Sequence, residues 1–351
     1  MKIKDYIKIL CLSYKKNAFK GVLNLAKVFS DLIAEPEAVS SRITSAKIEI
    51  TTRCNLKCRF CDSTVNSRRK TDMQAGEFLQ ILDKMPFLSK ISLSGVGEPF
   101  INPNIFQFIK LAKERHVFIG TFTNATLLSE DKIEKLLQSG IDWLNISLDG
   151  AVKETYEDIR CGAVFENVLS NIRVFQDENI RNGEKTDVAI WMTLTKSNIG
   201  ELPQMIPLAK SLGIKKINAQ SLHPWGKDYW KKELRDQQVE YGGKGEFLSS
   251  AVRNAKKEGI SLNFSTIGCA PKRKRTCNWP WRSCNITVDG FITPCCMNGS
   301  DPDIINFGNI YRESFEKIWN SRDYRLFRKQ LKSSSMPDIC RGCPGYFYVG
   351  F

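Results

Sequence analysis

The sequence predicts an α/β protein: a partial, open (βα)6 barrel with an N-terminal amphipathic helical extension and a small cysteine-rich C-terminal module. Three observations carry this. Six short β-branched runs alternate with stretches of helical hydrophobic period between residues 46 and 225, which implies right-handed βαβ units and a parallel sheet flanked by helices. Three cysteines spaced CxxxCxxC, Cys54, Cys58 and Cys61, directly follow the first run. From residue 277 the chain turns rich in Cys, Pro, Gly and Trp, with too little apolar content to fold without a metal or another staple.

The extension, residues 1–44, places Ile3, Ile7, Leu10, Phe19, Val22, Leu23, Ala26, Phe29 and Ile33 at helical spacing, with seven lysines and one aspartate among residues 1–30. Such a helix packs against the body of a protein or, through residues 1–35, lies in a membrane interface as a peripheral contact. No stretch reaches the roughly 18 apolar residues of a membrane span. The barrel, residues 45–225, reads as strands at Lys47–Thr51, Lys90–Ser94, Val117–Thr123, Trp143–Leu148, Val188–Leu194 and Lys216–Leu222. Helices are expected at Glu77–Met85, Ile105–Glu114, Asp131–Gln138, Phe165–Gln176 and Leu202–Leu212. Six units are two short of a complete TIM-type (βα)8 barrel, and active sites on such sheets lie at the carboxyl ends of the strands. The cysteine triplet falls on that rim.

Residues 226–276 read as a bridging region with a helix at Phe247–Glu258 and a short strand at Ser261–Phe264. The last segment, residues 277–351, carries a hairpin signal at Asp289-Gly290 between Asn285–Val288 and Phe291–Thr293. Helical stretches follow at Asn309–Trp319 and Asp323–Leu331.

Formal net charge is +14, from 52 Lys and Arg against 38 Asp and Glu. That balance favours anionic partners, but no nucleic-acid motif accompanies it, so nucleic acid is not expected. The run Lys272–Arg275 could steer an acidic substrate or a reductase. Twelve cysteines in 351 residues read as metal ligands in a reducing, cytoplasmic setting rather than as a disulfide framework.

Thiolates suit iron–sulfur clusters because soft sulfur matches the metal, and a fully ligated cluster takes four of them. Three ligands leave one iron open, and an open coordination position implies chemistry. On spacing alone, zinc and unliganded thiols remain alternatives.

Beyond spacing, TTRCNLKCRFCDS resembles the signature of the radical S-adenosylmethionine (SAM) superfamily. Ser94–Pro99 (SGVGEP), Phe122–Ser129 (FTNATLLS), Asn145–Gly150 (NISLDG) and Tyr156–Arg160 (YEDIR) resemble its later motifs in the same order. The tail is similar to that superfamily's SPASM/twitch extension, which holds auxiliary iron–sulfur clusters. Cys277, Cys295, Cys340 and Cys343 match the shorter twitch form with one four-cysteine cluster, as in the aminocyclitol dehydrogenase branch, and the chain as a whole also resembles the anaerobic sulfatase-maturating enzymes. The eight residues after Cys343 contain no cysteine. Cys284 and Cys296 are surplus, and either could replace an assigned ligand. Cys11 and Cys269 have no assigned role.

The resemblance implies SAM, a SAM-binding [4Fe–4S] cluster on Cys54, Cys58 and Cys61, and one auxiliary [4Fe–4S] cluster. It implies Phe60 near adenine, Gly97 and Glu98 at the methionine ammonium, Asn124 and Ser147 at the ribose, and Arg160 at the methionine carboxylate. Substrate candidates beyond the strand ends are Asp149, Trp191, Gln220, His223 and Trp225, with His223 as a base. Cys161 is the candidate hydrogen donor of an epimerase. The implied enzyme is a dehydrogenase-like oxidoreductase that cleaves SAM, abstracts hydrogen from a polar substrate and completes a two-electron oxidation through the auxiliary cluster, supplied with electrons by a flavodoxin or ferredoxin. A carbohydrate or aminocyclitol is favoured. Peptide modification, redox-neutral epimerisation and a metal-stabilised, non-enzymatic scaffold are the alternatives.

Overall fold

In the computed structural model, residues 3–61, 68–223, 232–240, 242–265, 277–297, 299–341 and 343 are described. The six expected strands form near their expected positions: β1 (Ser45–Ile48), β2 (Lys90–Leu93), β3 (Phe118–Thr123), β4 (Trp143–Ser147), β5 (Asp187–Leu194) and β6 (Lys216–Ser221). Three more, β7 (Ser261–Ser265), β8 (Ser283–Ile286) and β9 (Ile292–Thr293), complete an open, mostly parallel sheet. The strand order is β7-β6-β5-β4-β3-β2-β1-β8-β9. Successive βα units thus lie side by side, as a partial barrel requires.

The chain packs as two compact units. The first comprises Met1–Arg53, Arg69–Gly120 and Asn278–Cys343; the second comprises Cys54–Arg68, Thr121–Cys277 and Pro344–Phe351. These units cut across the segments inferred from sequence, and β3 is divided between them.

In the first unit, β1 runs parallel to β2 on one side and to β8 on the other, with Ala46 opposite both Ile91 and Cys284. Strands β8 and β9 are antiparallel, joined through Gly290 at φ 85°. The expected hairpin therefore exists, and its first strand also extends the main sheet. Helix α2 (Ala75–Lys84) opens with Glu77 Oε2 accepting the Gln74 N–H at 2.7 Å and buries Phe78, Ile81 and Leu82. Helix α3 (Ile105–Glu114) buries Ile105, Phe108, Ile109 and Ala112, so both follow the apolar stripe of a core-facing helix. In the tail, α10 (Trp279–Arg282), α11 (Phe315–Trp319) and α12 (Arg322–Lys332) close around Arg328. Its guanidinium lies 4.4 Å from the centre of the Trp319 ring and 4.3 Å from that of Tyr324. Its Nε and Nη1 donate to the Pro280 and Glu37 carbonyls, while Nη2 is buried without a hydrogen-bond partner among the described residues.

Helix α1 (Ile3–Ala34) also belongs to this unit and is broken at Ala18, whose φ is 47°. The break brings Gly21 against the Ser13 carbonyl, where a Cβ would stand only 2.2 Å from the oxygen. Only glycine fits there.

In the second unit, β4, β5, β6 and β7 are consecutive parallel neighbours. One sheet face, with Leu144, Ile146, Ile190, Met192, Leu194, Ile217 and Ala219, is buried. Its helices bury matching stripes: Phe165, Val168, Leu169, Ile172 and Phe175 on α6 (Phe165–Arg181), and Leu202, Met205, Ile206 and Ala209 on α7 (Leu202–Ser211). Helices α4 (Glu130–Gln138), α5 (Lys153–Ile159), α8 (Lys232–Asp236) and α9 (Gly245–Lys257) are the other α-helices of this unit among the described residues. The opposite sheet face is largely half-buried and mixes polar side chains with Trp143 and Trp191.

Candidate active site

The loop carrying the cysteine triplet is held by backbone pairing, leaving its side chains for other partners. The Lys57 and Arg59 N–H groups donate to the carbonyls of Cys161 and Ile159, both at 3.0 Å, and the Cys61 N–H donates to the Cys58 carbonyl at 3.2 Å. Asn124, at the end of β3, donates to Asn55 Oδ1 at 3.1 Å and accepts from the Thr126 N–H and hydroxyl; Asn55 in turn donates to the Thr126 hydroxyl. Asn55 is a residue that the motif comparison left unassigned.

Cys58 is buried, whereas Cys54, Phe60 and Cys61 are half-buried. Burial pushes the Cys58 thiol up to about 12; Arg160 opposes that, while Cys61, Asp149 and Cys54 add to it. The Arg160 Nη1 lies 3.9 Å from Cys58 Sγ. Its other nitrogens grip Asp149 Oδ2, Nε at 2.7 Å and Nη2 at 2.5 Å. Burial works against the Arg160 charge, but Asp149 and then Cys58 more than offset it and hold the guanidinium above its ordinary range.

Asp149 has its second oxygen committed as well. Oδ1 accepts the Thr193 N–H at 2.7 Å, and Asn198 fixes the local backbone by donating to the carbonyls of Asp149 and Thr193. The sequence grouped Asp149 with substrate contacts, whereas its carboxylate here faces Arg160 and a strand amide.

Cys161 is half-buried, and its thiol donates to the Asp158 carbonyl at 3.2 Å. Ser147 pairs with Trp191 across β4 and β5. Trp191 meets Phe122 edge-to-face at 5.1 Å, and Phe122 meets Trp143 at 5.7 Å. Gln220 donates to the Thr193 hydroxyl at 3.3 Å, and His223 is buried just beyond β6. Trp225, Cys269 and the run Lys272–Arg275 lie outside the described residues.

In the first unit, the SGVGEP turn is seated on the chain just before the cysteine loop. A Cβ on Gly97 would stand 2.5 Å from the carbonyl oxygens of Arg53 and Thr51, so the position demands glycine. The Glu98 N–H donates to the Arg53 carbonyl at 2.8 Å, and its buried carboxylate accepts the Phe100 N–H at 3.3 Å. Sequence reasoning missed Glu49, which braces this turn. Its two oxygens accept the N–H groups of Val96 and Val288 at 3.3 and 3.2 Å, and its stem packs against Gly95. The available signal was a carboxylate inside the otherwise apolar run Ile48–Ile50.

The tail cysteines form a second group. Cys295 is held well above the usual thiol range by burial, then by Cys343, Cys296 and Cys340, with the Gly299 backbone opposing. The Cys343 N–H donates to the Cys340 carbonyl. Of the two surplus cysteines, Cys296 joins this group. Cys284 is fully buried within β8, and its thiol is raised by burial alone. Cys277 is the last residue of the second unit before the tail.

Among the described residues, no three His, Cys, Asp or Glu side chains converge tightly enough to hold a single metal ion. Thiolates around a four-iron cluster each bind a different iron and therefore surround a volume rather than a point. Two sets of neighbouring soft donors, one beside a guanidinium, suit that kind of group.

Residues 48–206 match the family model of the Radical SAM superfamily, and residues 277–344 match that of SPASM, an iron–sulfur cluster-binding domain. The AdoMet-dependent heme synthase of Methanosarcina barkeri is 27% identical over 330 residues, 86% of this chain and 91% of that protein. The PqqA peptide cyclase of Gluconobacter oxydans is 25% identical over 304 residues, 84% of this chain and 81% of its own length. Among solved structures, Streptococcus suis SuiB bound to the precursor peptide SuiA matches with a TM-score of 0.67 at 15% identity, covering 93% of this chain and 75% of SuiB. At that identity the likeness is one of fold.

Proposed function

For a chain that belongs to the radical SAM superfamily and carries a C-terminal SPASM domain, we propose oxidation of a polar, hydroxyl-bearing substrate, with a carbohydrate or aminocyclitol as the first class. The enzyme's cofactors are SAM, a [4Fe–4S] cluster and auxiliary iron–sulfur. When bound, these supply a carbon-centred radical that can remove a hydrogen atom from the substrate and an acceptor for the second electron.

One observation carries the substrate class. Towards the carboxyl ends of β4, β5 and β6, the half-buried face presents Ser147, Trp191, Thr193, Asn218 and Gln220. Amides and hydroxyls around an indole suit a partner rich in hydrogen-bonding groups, because each can donate or accept.

In this reading Cys54, Cys58 and Cys61 hold the first cluster. Arg160 meets the methionine carboxylate, with Asp149 fixing its rotamer and Thr193 and Asn198 fixing Asp149. Phe60, Asn124 and Ser147 keep their assigned SAM contacts, as do Gly97 and Glu98, whose turn Glu49 braces. Cys277, Cys295, Cys340 and Cys343 hold one auxiliary cluster, and a flavodoxin or ferredoxin delivers electrons. His223 is the proposed base.

The test is anaerobic turnover with SAM and a low-potential reductant. Mass spectrometry should find 5′-deoxyadenosine rising with a sugar or aminocyclitol, together with a product lighter by two hydrogens. Zinc without iron or sulfide in anaerobically purified protein would sink the proposal. The peptide cyclase relative motivates a second reading, peptide modification; 5′-deoxyadenosine formed only with peptide substrates would select it. Product of unchanged mass, lost in Cys161→Ala, would instead indicate epimerisation with Cys161 as hydrogen donor.

A further inference from the structure

Helix α1 has one face that is accounted for and one that is not. On the inner face, the Ser13 and Ser89 hydroxyls bond at 2.6 Å and Lys16 Nζ donates to the Leu88 carbonyl at 2.9 Å. Asn24 bonds the Arg42 backbone in both directions. Asp31 is turned inward and accepts the N–H groups of Ser40 and Ser41.

The outer face is apolar and uncovered. Phe19 is 67% exposed, Leu23 47%, Phe29 66% and Ile33 70%, and exposed Ala26 continues the stripe between them. Their spacing puts them on one side of the helix after the break at Ala18. Aligned exposed apolar side chains of this size mark an interaction surface.

The charges beside the stripe are of one sign. Lys20 and Lys27 are exposed, whereas Asp31, the single acid between residues 18 and 34, is committed on the inner face. A self-associating helix flanks its seam with charges of both signs that pair across it; a seam edged by lysines repels its own copy. No described helix is long and apolar enough to cross a membrane.

We propose that the outer face of α1 docks the protein on an anionic lipid surface. The helix lies in the plane of the interface, Phe19, Leu23, Phe29 and Ile33 enter the acyl boundary, and Lys20 and Lys27 extend their stems so that their ammonium groups reach phosphates.

The test is flotation of the full-length, cluster-loaded protein with phosphatidylcholine vesicles and with mixed phosphatidylcholine–phosphatidylglycerol vesicles. The wild type should float with the anionic vesicles, less so as salt is raised. Combined Phe19→Ser, Leu23→Ser, Phe29→Ser and Ile33→Ser should weaken binding at least about tenfold, and so should Lys20→Glu with Lys27→Glu. Both variants should keep wild-type circular dichroism. Hydrogen exchange of the wild type gives a reading free of any variant: amides within residues 19–33 should be protected when anionic vesicles are added. Absence of flotation, equal binding to neutral vesicles, or no added protection would overturn the proposal. So would a wild-type dimer in solution that the serine variant converts to monomer, since a second copy would then cover the stripe.

Discussion

The two cysteine groups occupy opposite electrostatic settings. Cys58 shares its buried position with the guanidinium of Arg160, which Asp149 holds in place. Cys295 is surrounded by other thiols, and the interactions that shift it include no side-chain cation. Beside a fixed cation, part of the cost of a buried thiolate is offset before any metal arrives. Without one, like thiols raise each other, and the ionised set becomes favourable only when a metal neutralises it. The first group is thus preorganised by protein charge, and the second depends on its metal.

The largest expected contrast comes from removing one thiol in each group. Cys58→Ala should abolish 5′-deoxyadenosine formation and remove about four irons. Cys295→Ala should also lower the iron content but retain 5′-deoxyadenosine formation while losing substrate oxidation. Equal loss of SAM cleavage in both variants would break the comparison. Heat should separate them too: the tail of Cys295→Ala should become protease-sensitive first, because a small metal-bound segment depends on its metal for folding free energy.

A smaller effect is expected from the ion pair. Asp149→Asn leaves the shape but removes the charge that grips Arg160, and losing one partner of a buried pair costs several kcal/mol, about 3 to 5. Part of that, about 1.4 kcal/mol, should appear as a KM for SAM raised roughly tenfold, with kcat affected less. Arg160→Lys keeps a positive charge but loses the fork and should rescue only part of SAM binding. An unchanged KM in Asp149→Asn would mean that Arg160 holds its rotamer without Asp149.

How far these features can be read from sequence depends on how local their causes are. The strands β1 to β6 announce themselves because β-branched runs such as Val188–Leu194 carry a short-range signal. Pairing of β8 with β1 does not, since parallel neighbours need a long connection and no local residue records it. Glu49 reads as a strand residue until the Val96 and Val288 amides are seen around it. Asp149 and Arg160 were each visible in a motif, yet their pairing depends on α5, whose seven residues are mostly polar. Of the surplus cysteines, either Cys284 or Cys296 could replace a ligand by spacing, with Cys296 the stronger candidate because it adjoins Cys295. Burial separates them, because Cys284 falls inside β8 and Cys296 falls after β9 beside other thiols.

The most delicate expectation concerns pH. In apoprotein prepared anaerobically with a chelator, the Cys58 thiol is raised to about 12, so at pH 9 only about one molecule in a thousand carries the thiolate there. The rate of Cys58 alkylation by iodoacetamide should therefore keep rising past pH 9, where an ordinary exposed cysteine levels off. Because Arg160 lowers this thiol's pKa, Arg160→Met should slow the reaction further at fixed pH. The folded apoprotein binds this proton more tightly than the unfolded chain, so its stability should fall as pH rises from about 9 towards 12. A faster reaction in Arg160→Met would show that the arginine acts on Cys58 by blocking access rather than through its charge. The electrostatic half of the contrast with Cys295 would then be lost.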